Sequence, residues 1–176
     1  IWINEFINLG YIRKLDDYLK TDIAMYPKKF SDIIYRDGGL YAIPLMLDVG
    51  VMFYRNDLSD GKMSYVQLLD SNRTNYSIQG LDKEEMICVV QECIRLCGDA
   101  KEGLKAYKRL IESSKYTSDK YLTDFKNGES AYARSWTSNY IQLVNDFSKI
   151  QGKVKVSLLN EGGREYSTAR AYCLAL

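Results

Sequence analysis

The sequence predicts an α/β fold with a mixed sheet, because segments patterned as strands interleave with segments patterned as helices along its 176 residues. The clearest strand is residues 48–54, which is nearly continuous in apolar side chains, as a strand buried on both faces would be. The clearest helices follow Asp82 and Asp99. Each of these has a glutamate three residues later and then apolar side chains at helical spacing.

The helical segments take their ends from polar caps and glycines. Asn4 is placed to cap the first helix, with Gly10 in its stop position, and Gly98 ends the helix that begins after Asp82. In chain order, the predicted helical segments are residues 4–9, 15–19, 83–97, 100–111, 117–126 and 137–147.

The strand segments include one hairpin. Residues 36–39 read Arg-Asp-Gly-Gly, and Asp-Gly-Gly supplies the positive φ values that a tight turn between two strands demands. Val154, Val156 and Leu158 alternate with polar residues, which predicts a half-exposed strand, and residues 160–163 predict a bare loop. In chain order, the predicted strands are residues 31–35, 40–44, 48–54, 131–135 and 153–158.

Composition excludes several classes of function. Lys and Arg (24) nearly balance Asp and Glu (23), and the two signs are interspersed, so no nucleic-acid partner is predicted. Histidine is absent, which removes Ser-His-Asp and Cys-His nucleophile activation and His-ligated zinc. The four cysteines lack CxxC spacing and are predicted to be buried thiols. No metal and no other cofactor is therefore predicted.

Three features bear on a binding or catalytic site. The carboxylate pairs Asp16-Asp17 and Glu84-Glu85 are candidates for acid–base catalysis, although helix-start and solvated-face roles explain them better. Trp136 stands where a strand gives way to a helix start, and the end of a sheet strand is where α/β folds place ligands. Tyrosine is abundant, and its apolar face and polar tip suit sites that hold sugar rings.

Four segments, in order, resemble the family 1 extracellular solute-binding proteins of ABC sugar importers, which include the maltose- and trehalose-binding proteins. The first carries YAIP, Asp48 and VMFYRNDL, and the second carries QGLDKEEMIC. The third carries DFKNGESA and RSW, and the fourth carries GKVKVSLL followed by Ser-Thr. The four matching segments are residues 41–58, 79–88, 121–136 and 152–168.

The resemblance implies a two-lobed fold of the type II periplasmic-binding-protein kind, with mixed sheets and only part of it present. In that frame residues 1–45 are the later part of the first lobe, and 46–52 are a hinge crossover strand. Residues 53–160 are most of the second lobe, and 161–176 return towards the first. A partial chain is also expected from the apolar ends, because natural termini are usually polar and frayed.

The resemblance also implies a carbohydrate in a cleft between the lobes. Asp48 is similar to the acidic residue that accepts sugar hydroxyls, and Trp136 to the platform on which a ring stacks. Their alternative roles are a solvated strand-end residue and a core aromatic. Arg170 and Tyr172 stand where the family often has Gly-Gly-Trp, and both are predicted to bind ligand. The Arg170 charge fits either an acidic sugar or an ion pair with Asp48.

The predicted function is therefore the binding component of an ABC importer, which captures a sugar without catalysis and passes it to the permease subunits. It is expected to be a monomer, extracellular or periplasmic, and held at the membrane by an N-terminal lipid in the full-length protein. Two alternatives stay open. One is a carbohydrate-active enzyme with two carboxylates about 5 to 10 Å apart. The other is a binding protein for a non-sugar solute such as a peptide or a polyamine.

Overall fold

The structure, a computed structural model, describes residues 2–20, 22–61, 64, 76–79, 82–113, 116–117 and 120–176. It divides into two compact units. The first unit is Ile1–Asp48 with Arg170–Leu176, and the second unit is Val49–Ala169. The lobe boundaries expected from the resemblance stay predictions. Within the described ranges, the structure contains no helix with the length and hydropathy to cross a membrane.

The first unit begins with helices and continues into a hairpin. Its core is formed by Leu15, Ile34, Leu40 and Ala42. In chain order its elements are α1 (Trp2–Asn8), a 3₁₀ turn (Ile23–Met25), α2 (Lys28–Ile34), β1 (Tyr35–Arg36) and β2 (Gly39–Leu40). The strands β3 (Ile43–Arg55) and β10 (Ala169–Leu174) each run from one unit into the other.

The predicted hairpin turn is confirmed, but the strand before it is wrong. Asp37 and Gly38 adopt φ values of 49° and 73°, the pair of positive values that a two-residue hairpin turn requires. Residues 31–34 are helical, and α2 leaves just two residues for β1. Residues 15–19 contain one turn closed by a bond from the Leu19 N–H to the Leu15 carbonyl, 2.9 Å, rather than a helix.

The second unit is built on a mixed sheet, as the sequence predicts. The strand β6 (Tyr132–Trp136) runs antiparallel to β3 and parallel to β4 (Tyr76–Ile78). Beyond β4 lies β5 (Tyr116–Thr117), also parallel, and β7 (Val154–Ser157) pairs antiparallel with β3. The described strands follow the order β10-β3-β6-β4-β5. The strand β7 lies off this path and pairs with β3, which also neighbours β10.

The prediction that residues 48–54 form a strand buried on both faces is confirmed for the second-unit half of β3. Met52 packs in one core cluster with Cys93 and Leu96, whereas its neighbours Val51 and Phe53 pack in another. Successive side chains on a strand point to opposite faces, so the second-unit half of β3 lies between two apolar layers.

The two long helices are confirmed, with the caps that the sequence indicates. The helix α3 (Lys83–Cys97) begins at Asp82, whose carboxylate accepts from the N–H groups of Glu84 and Glu85, and ends at Gly98 with φ 76°. The helix α4 (Ala100–Ser113) follows Asp99. The shorter helical segments are α5 (Tyr121–Lys126), a 3₁₀ turn (Thr137–Asn139) and α6 (Tyr140–Val144).

Two further local predictions are wrong, and a third is confirmed in part. The helix expected over 117–126 begins at Tyr121, and residues 118–119 lie outside the described part. The predicted half-exposed strand is present as β7, but Val156 and Leu158 are exposed, so Val154 alone of the three alternating apolar residues is buried. The bare loop at 160–163 is a hairpin formed by β8 (Asn160–Glu161) and β9 (Arg164–Glu165), because two glycines with positive φ close the turn.

Candidate functional site

The four predicted ligand-binding residues are divided between the two units. Asp48, Arg170 and Tyr172 belong to the first unit, and Trp136 belongs to the second. The first three form one cluster on two strands, because Asp48 lies on β3 and the other two lie on β10, the strand beside it.

Asp48 and Arg170 form an ion pair in the first unit. The Arg170 Nη2 group donates to the Asp48 Oδ2 atom at 3.1 Å. Asp48 is 0% exposed, whereas the Arg170 side chain is 36% exposed. The alternative of a solvated Asp48 is therefore wrong, since its carboxylate is buried behind the arginine.

Tyr172 extends this cluster towards solvent. Residues two apart on a strand share a face, which places Arg170 and Tyr172 side by side on β10. The Arg170 guanidinium carbon lies 5.3 Å from the centre of the Tyr172 ring, within the range of a cation–π contact. The tyrosine remains 49% exposed. The cluster thus places a partly exposed guanidinium beside an accessible aromatic ring.

A buried cluster in the second unit contains Trp136, and we call it the Arg134 network. Its members are Glu85 and Glu92 of α3, Arg134 and Trp136 of β6, and Thr168. The Arg134 guanidinium forms a fork with the Glu92 carboxylate, with Nη2 to Oε1 at 2.6 Å and Nε to Oε2 at 3.0 Å. Its Nη1 group donates to Glu85 at 2.8 Å. Thr168 donates to Glu92 through its backbone N–H at 3.1 Å and through its hydroxyl.

Trp136 is held inside this network by its polar edge and one ring face. Its indole N–H donates to the Glu85 carboxylate. The Arg134 guanidinium carbon lies 4.5 Å from its ring centre. The residue is 2% exposed, so a sugar ring can stack on it only after the side chains that cover it move.

Gly50 lets β3 lie against the network. A Cβ atom at this position would stand 2.5 Å from Arg134 Nη2 and 2.6 Å from Glu92 Oε1, closer than carbon atoms approach such groups. The Gly50 N–H donates to the Thr168 carbonyl at 2.9 Å. The network therefore holds β3 and the segment just before β10 together within the second unit.

The sequence did not reveal Glu85, Glu92 and Arg134 as parts of one cluster. The signal for Glu92 was present, because it occupies a core-facing position between Val89 and Leu96 on an amphipathic helix. Glu85 lies in the first turn of α3, as the predicted helix-start role requires, but its carboxylate accepts from Arg134 and Trp136 instead of facing solvent. Asp16 also has a structural contact, as it accepts from the Leu40 N–H at 2.9 Å.

The four cysteines are free thiols, and burial raises the pKa of each. The effect is largest at Cys93, where burial raises the pKa to about 12. The predicted buried thiol is thus confirmed there, whereas Cys88, Cys97 and Cys173 are partly exposed. In the described part of the chain, no group of three Cys, Asp or Glu side chains is placed to hold a metal ion.

A cavity of about 400 Å³ lies in the second unit, away from the predicted residues. It is lined by Leu96, Cys97, Glu102, Ala106, Arg109, Glu161, Gly162 and Arg164. Arg164 contacts the end of α3, where its Nη1 group donates to the Cys97 carbonyl at 2.8 Å. This opening mixes charges of both signs and has no member in common with the Arg134 network.

Comparison with known proteins gives a fold but no sequence family. No protein-family model matches the sequence. The maltose-bound MalE3 of T. maritima matches 94% of this chain with a TM-score of 0.75 and 21% identity. The GacH receptor of Streptomyces glaucescens, solved without ligand and with acarbose, matches 99% with a TM-score of 0.77 and 16% identity. The spermidine/putrescine-binding PotD of Streptococcus pneumoniae matches 98% with a TM-score of 0.71 and 11% identity.

These matches define the class of fold. The chain is similar to part of a two-lobed, mixed α/β solute-binding protein, and the resemblance and fold class predicted from the sequence are confirmed at that level. The chain spans about half the length of these structures, 52% of MalE3 and 54% of GacH. At such low sequence identities the likeness establishes the fold and leaves the ligand open.

Proposed function

We propose that the protein is the substrate-binding component of an ABC importer and binds a carbohydrate without chemical conversion. The observation that carries this proposal is the fold, which nearly the whole chain shares with MalE3 and GacH, whose structures hold maltose and acarbose. The first-unit cluster adds a chemical argument. An exposed aromatic ring beside guanidinium donors suits the apolar face and the hydroxyl groups of a sugar.

The roles that we propose for the four residues are based on their exposure and contacts. Tyr172 supplies the stacking surface, Arg170 donates to hydroxyl oxygens, and Asp48 holds the guanidinium from behind. Trp136 is proposed as a second platform, which becomes available when the Arg134 network opens. We also propose that the protein works outside the cell or in the periplasm as a monomer, with a lipid anchor, and delivers its ligand to permease subunits.

The test is a thermal scan of the full-length protein with maltose, a maltooligosaccharide, xylobiose and mannitol, and with spermidine as the non-sugar ligand. A ligand at about 100 times its Kd should add about 2.7 kcal/mol to the free energy of unfolding. That corresponds to a rise of a few degrees in Tm. Mass spectrometry of the recovered ligand should show unchanged sugar.

Two results would contradict the proposal: stabilisation by spermidine with none of the sugars, or cleavage of the sugar. The residue roles have their own test. Tyr172→Ala should weaken sugar binding by at least tenfold, and Tyr35→Ala, also a partly exposed tyrosine of the first unit, should leave it unchanged. For Trp136, the conservative Trp136→Phe variant preserves a ring, and affinity within threefold of wild type would argue against an indole platform.

A further inference from the structure

The strand β3 carries apolar side chains in both units, and its two halves differ in burial. In the second unit, residues 51–53 are at most 5% exposed. In the first unit, Leu45, Met46 and Leu47 are 69%, 46% and 43% exposed. Successive side chains on a strand point to opposite faces, so both faces of β3 are uncovered at these three residues. A continuous apolar run is typical of a strand that is buried on both faces.

The core of the first unit ends just before these residues. Ile43 packs against the core cluster of this unit, whereas Leu45 and Leu47, on the same face of β3, are exposed. The neighbouring strand β10 shows a similar contrast, because Cys173 packs against the cluster and Leu174, on the opposite face, is 54% exposed. We call Leu45, Met46, Leu47 and Leu174 the first-unit strand surface.

Exposed apolar side chains are concentrated in the first unit. In the described part of the chain, this unit holds most of the exposed large apolar side chains, although it is the smaller of the two units. Apolar surface gathered in this way marks a site of interaction with further polypeptide. The first-unit strand surface is therefore a docking surface, and its occupant must be apolar.

Two observations identify the occupant. This chain spans 52% of MalE3 and 54% of GacH, so a fold of this class includes further polypeptide of nearly the same length. The second observation is that both faces of β3 are uncovered. A two-fold contact between two copies uses one patch on each copy, so it would cover one face of β3 and leave the other exposed. Further chain of the same protein can cover both.

We infer that the first-unit strand surface binds a further segment of the same polypeptide, which packs on both faces of β3 and enlarges the core of the first unit. The part of this segment that meets β3 is apolar, as in an amphipathic helix or a strand inside a sheet. The inference goes beyond the proposed function and holds for any bound solute, because none of the four residues is a proposed ligand-binding residue.

The experiment measures how fast iodoacetamide alkylates a cysteine introduced into the full-length protein, with the modified site identified by mass spectrometry. Leu45→Cys probes the surface, and Leu104→Cys, on α4 of the second unit, is the matched control. Leu45 is 69% exposed and Leu104 is 52% exposed, so without further cover Leu45→Cys should react at least as fast. Cover reverses this order, and Leu45→Cys should react at least tenfold more slowly than Leu104→Cys.

A second measurement needs no substitution. Hydroxyl-radical footprinting of the wild type compares oxidation of the two leucine side chains directly, and Leu45 should be oxidised at least tenfold more slowly than Leu104. This comparison decides the question if Leu45→Cys does not fold. Both measurements are repeated over a hundredfold range of protein concentration, with analytical ultracentrifugation to determine the oligomeric state.

The outcomes distinguish the occupants. Slow reaction of Leu45 at every concentration, in a monomer, is the expected result. Slow reaction that is lost on dilution, together with a dimer in ultracentrifugation, assigns the surface to a second copy and overturns the inference. Reaction of Leu45 that is less than tenfold slower than that of Leu104 overturns it as well. None of these results bears on sugar binding, which the thermal scan tests separately.

Discussion

Two arginine–carboxylate pairs, one in each unit, differ in how far they are closed to solvent. Glu92 and Arg134 are both buried, at 0% and 2% of side-chain exposure, and their fork is completed by Thr168. Asp48 is just as buried, but its partner Arg170, whose Nη2 group lies 3.1 Å from the carboxylate, is 36% exposed. A buried charge must be paired, so both carboxylates have an arginine. The difference lies in the arginine, which in one pair is enclosed and in the other can face a ligand.

This difference separates an enclosed structural element from the element that we propose binds ligand. The Arg134 guanidinium donates to two carboxylates and a threonine hydroxyl, and all of these partners lie inside the second unit. Charged groups satisfied in this way rigidify their surroundings but offer no donor to a ligand. In the first-unit pair the Arg170 side chain is partly exposed, and the exposed Tyr172 ring lies beside it.

The largest effect is expected when the enclosed pair is broken. Glu92→Ala leaves the Arg134 guanidinium buried beside one remaining carboxylate, and removal of one partner of a buried pair costs about 3–5 kcal/mol of stability. Urea denaturation measures the change. Glu112→Ala is the control, because its ion pair with Lys108 is exposed on α4 and should contribute less than about 0.5 kcal/mol. A loss at Glu92 no greater than at Glu112 would show that the network does not stabilise the unit.

The close approach of β3 to the network gives the second prediction. Gly50→Ala forces a Cβ atom between Arg134 and Glu92 and should destabilise the protein by about 1–3 kcal/mol. Gly39→Ala is the matched change, since a Cβ there meets just the flexible side chain of Lys14. Thermal denaturation should show a smaller fall in Tm for Gly39→Ala than for Gly50→Ala, and that result would support the packing argument. Equal Tm values would contradict it.

The accessible pair should respond more weakly than the enclosed one. Arg170→Ala removes the guanidinium from Asp48, but water can enter beside an arginine that is one-third exposed and can solvate the carboxylate. The expected loss is about 1 kcal/mol, at the low end of the range for a buried acceptor that loses one hydrogen-bond donor. Arg134→Ala should lose about 3–5 kcal/mol. If urea denaturation gives equal losses for the two variants, exposure of the arginine is not what distinguishes the pairs.

Local signals in the sequence were sufficient to predict the helix caps and the hairpin turn, but they did not predict the Arg134 network. The caps at Asp82 and Gly98 and the turn at Asp37-Gly38 depend on neighbouring residues, and spacing alone reveals them. Two adjacent isoleucines predict a strand at residues 31–34, because they favour strands locally, but residues 31–34 form the end of α2 and Ile34 packs into the core.

The bonds of the Arg134 network join residues 34 to 76 positions apart, and no local pattern encodes such distances. The family resemblance was the sole basis in the sequence for expecting Asp48 and Arg170 to lie near one another. It left open whether Arg170 pairs with a carboxylate, and the structure supplies that pair. Spacing likewise identified Trp136 at the end of a strand but not its burial against Arg134 and Glu85.

A third pair joins residues close in sequence and has the smallest expected effect, with side chains 14% exposed at Arg55 and 33% exposed at Asp57. Arg55, at the end of β3, donates to both Asp57 carboxylate oxygens, at 3.0 and 2.6 Å, and Lys153 lies 3.4 Å away. The hydrogen bonds from Arg55 lower the pKa of Asp57 from 3.8 to about 2. A carboxyl group with a folded-state pKa below its unfolded value stabilises the fold fully above the unfolded pKa. That contribution is lost as the pH falls from about 4 to about 2.

Asp57→Asn should therefore lower Tm at pH 6 slightly, and the Tm difference from wild type should shrink as the pH falls through that window. Asp32→Asn, which removes a carboxylate from an exposed pair with Lys28 on α2, is the control for the general effect of one lost charge. Scans at half-unit steps from pH 6 to pH 2.5 measure both. A Tm difference at Asp57 that stays constant across the window would mean that Arg55 does not act on this carboxyl group. The comparison of the three pairs would then depend on the burial of the Glu92–Arg134 and Asp48–Arg170 pairs alone.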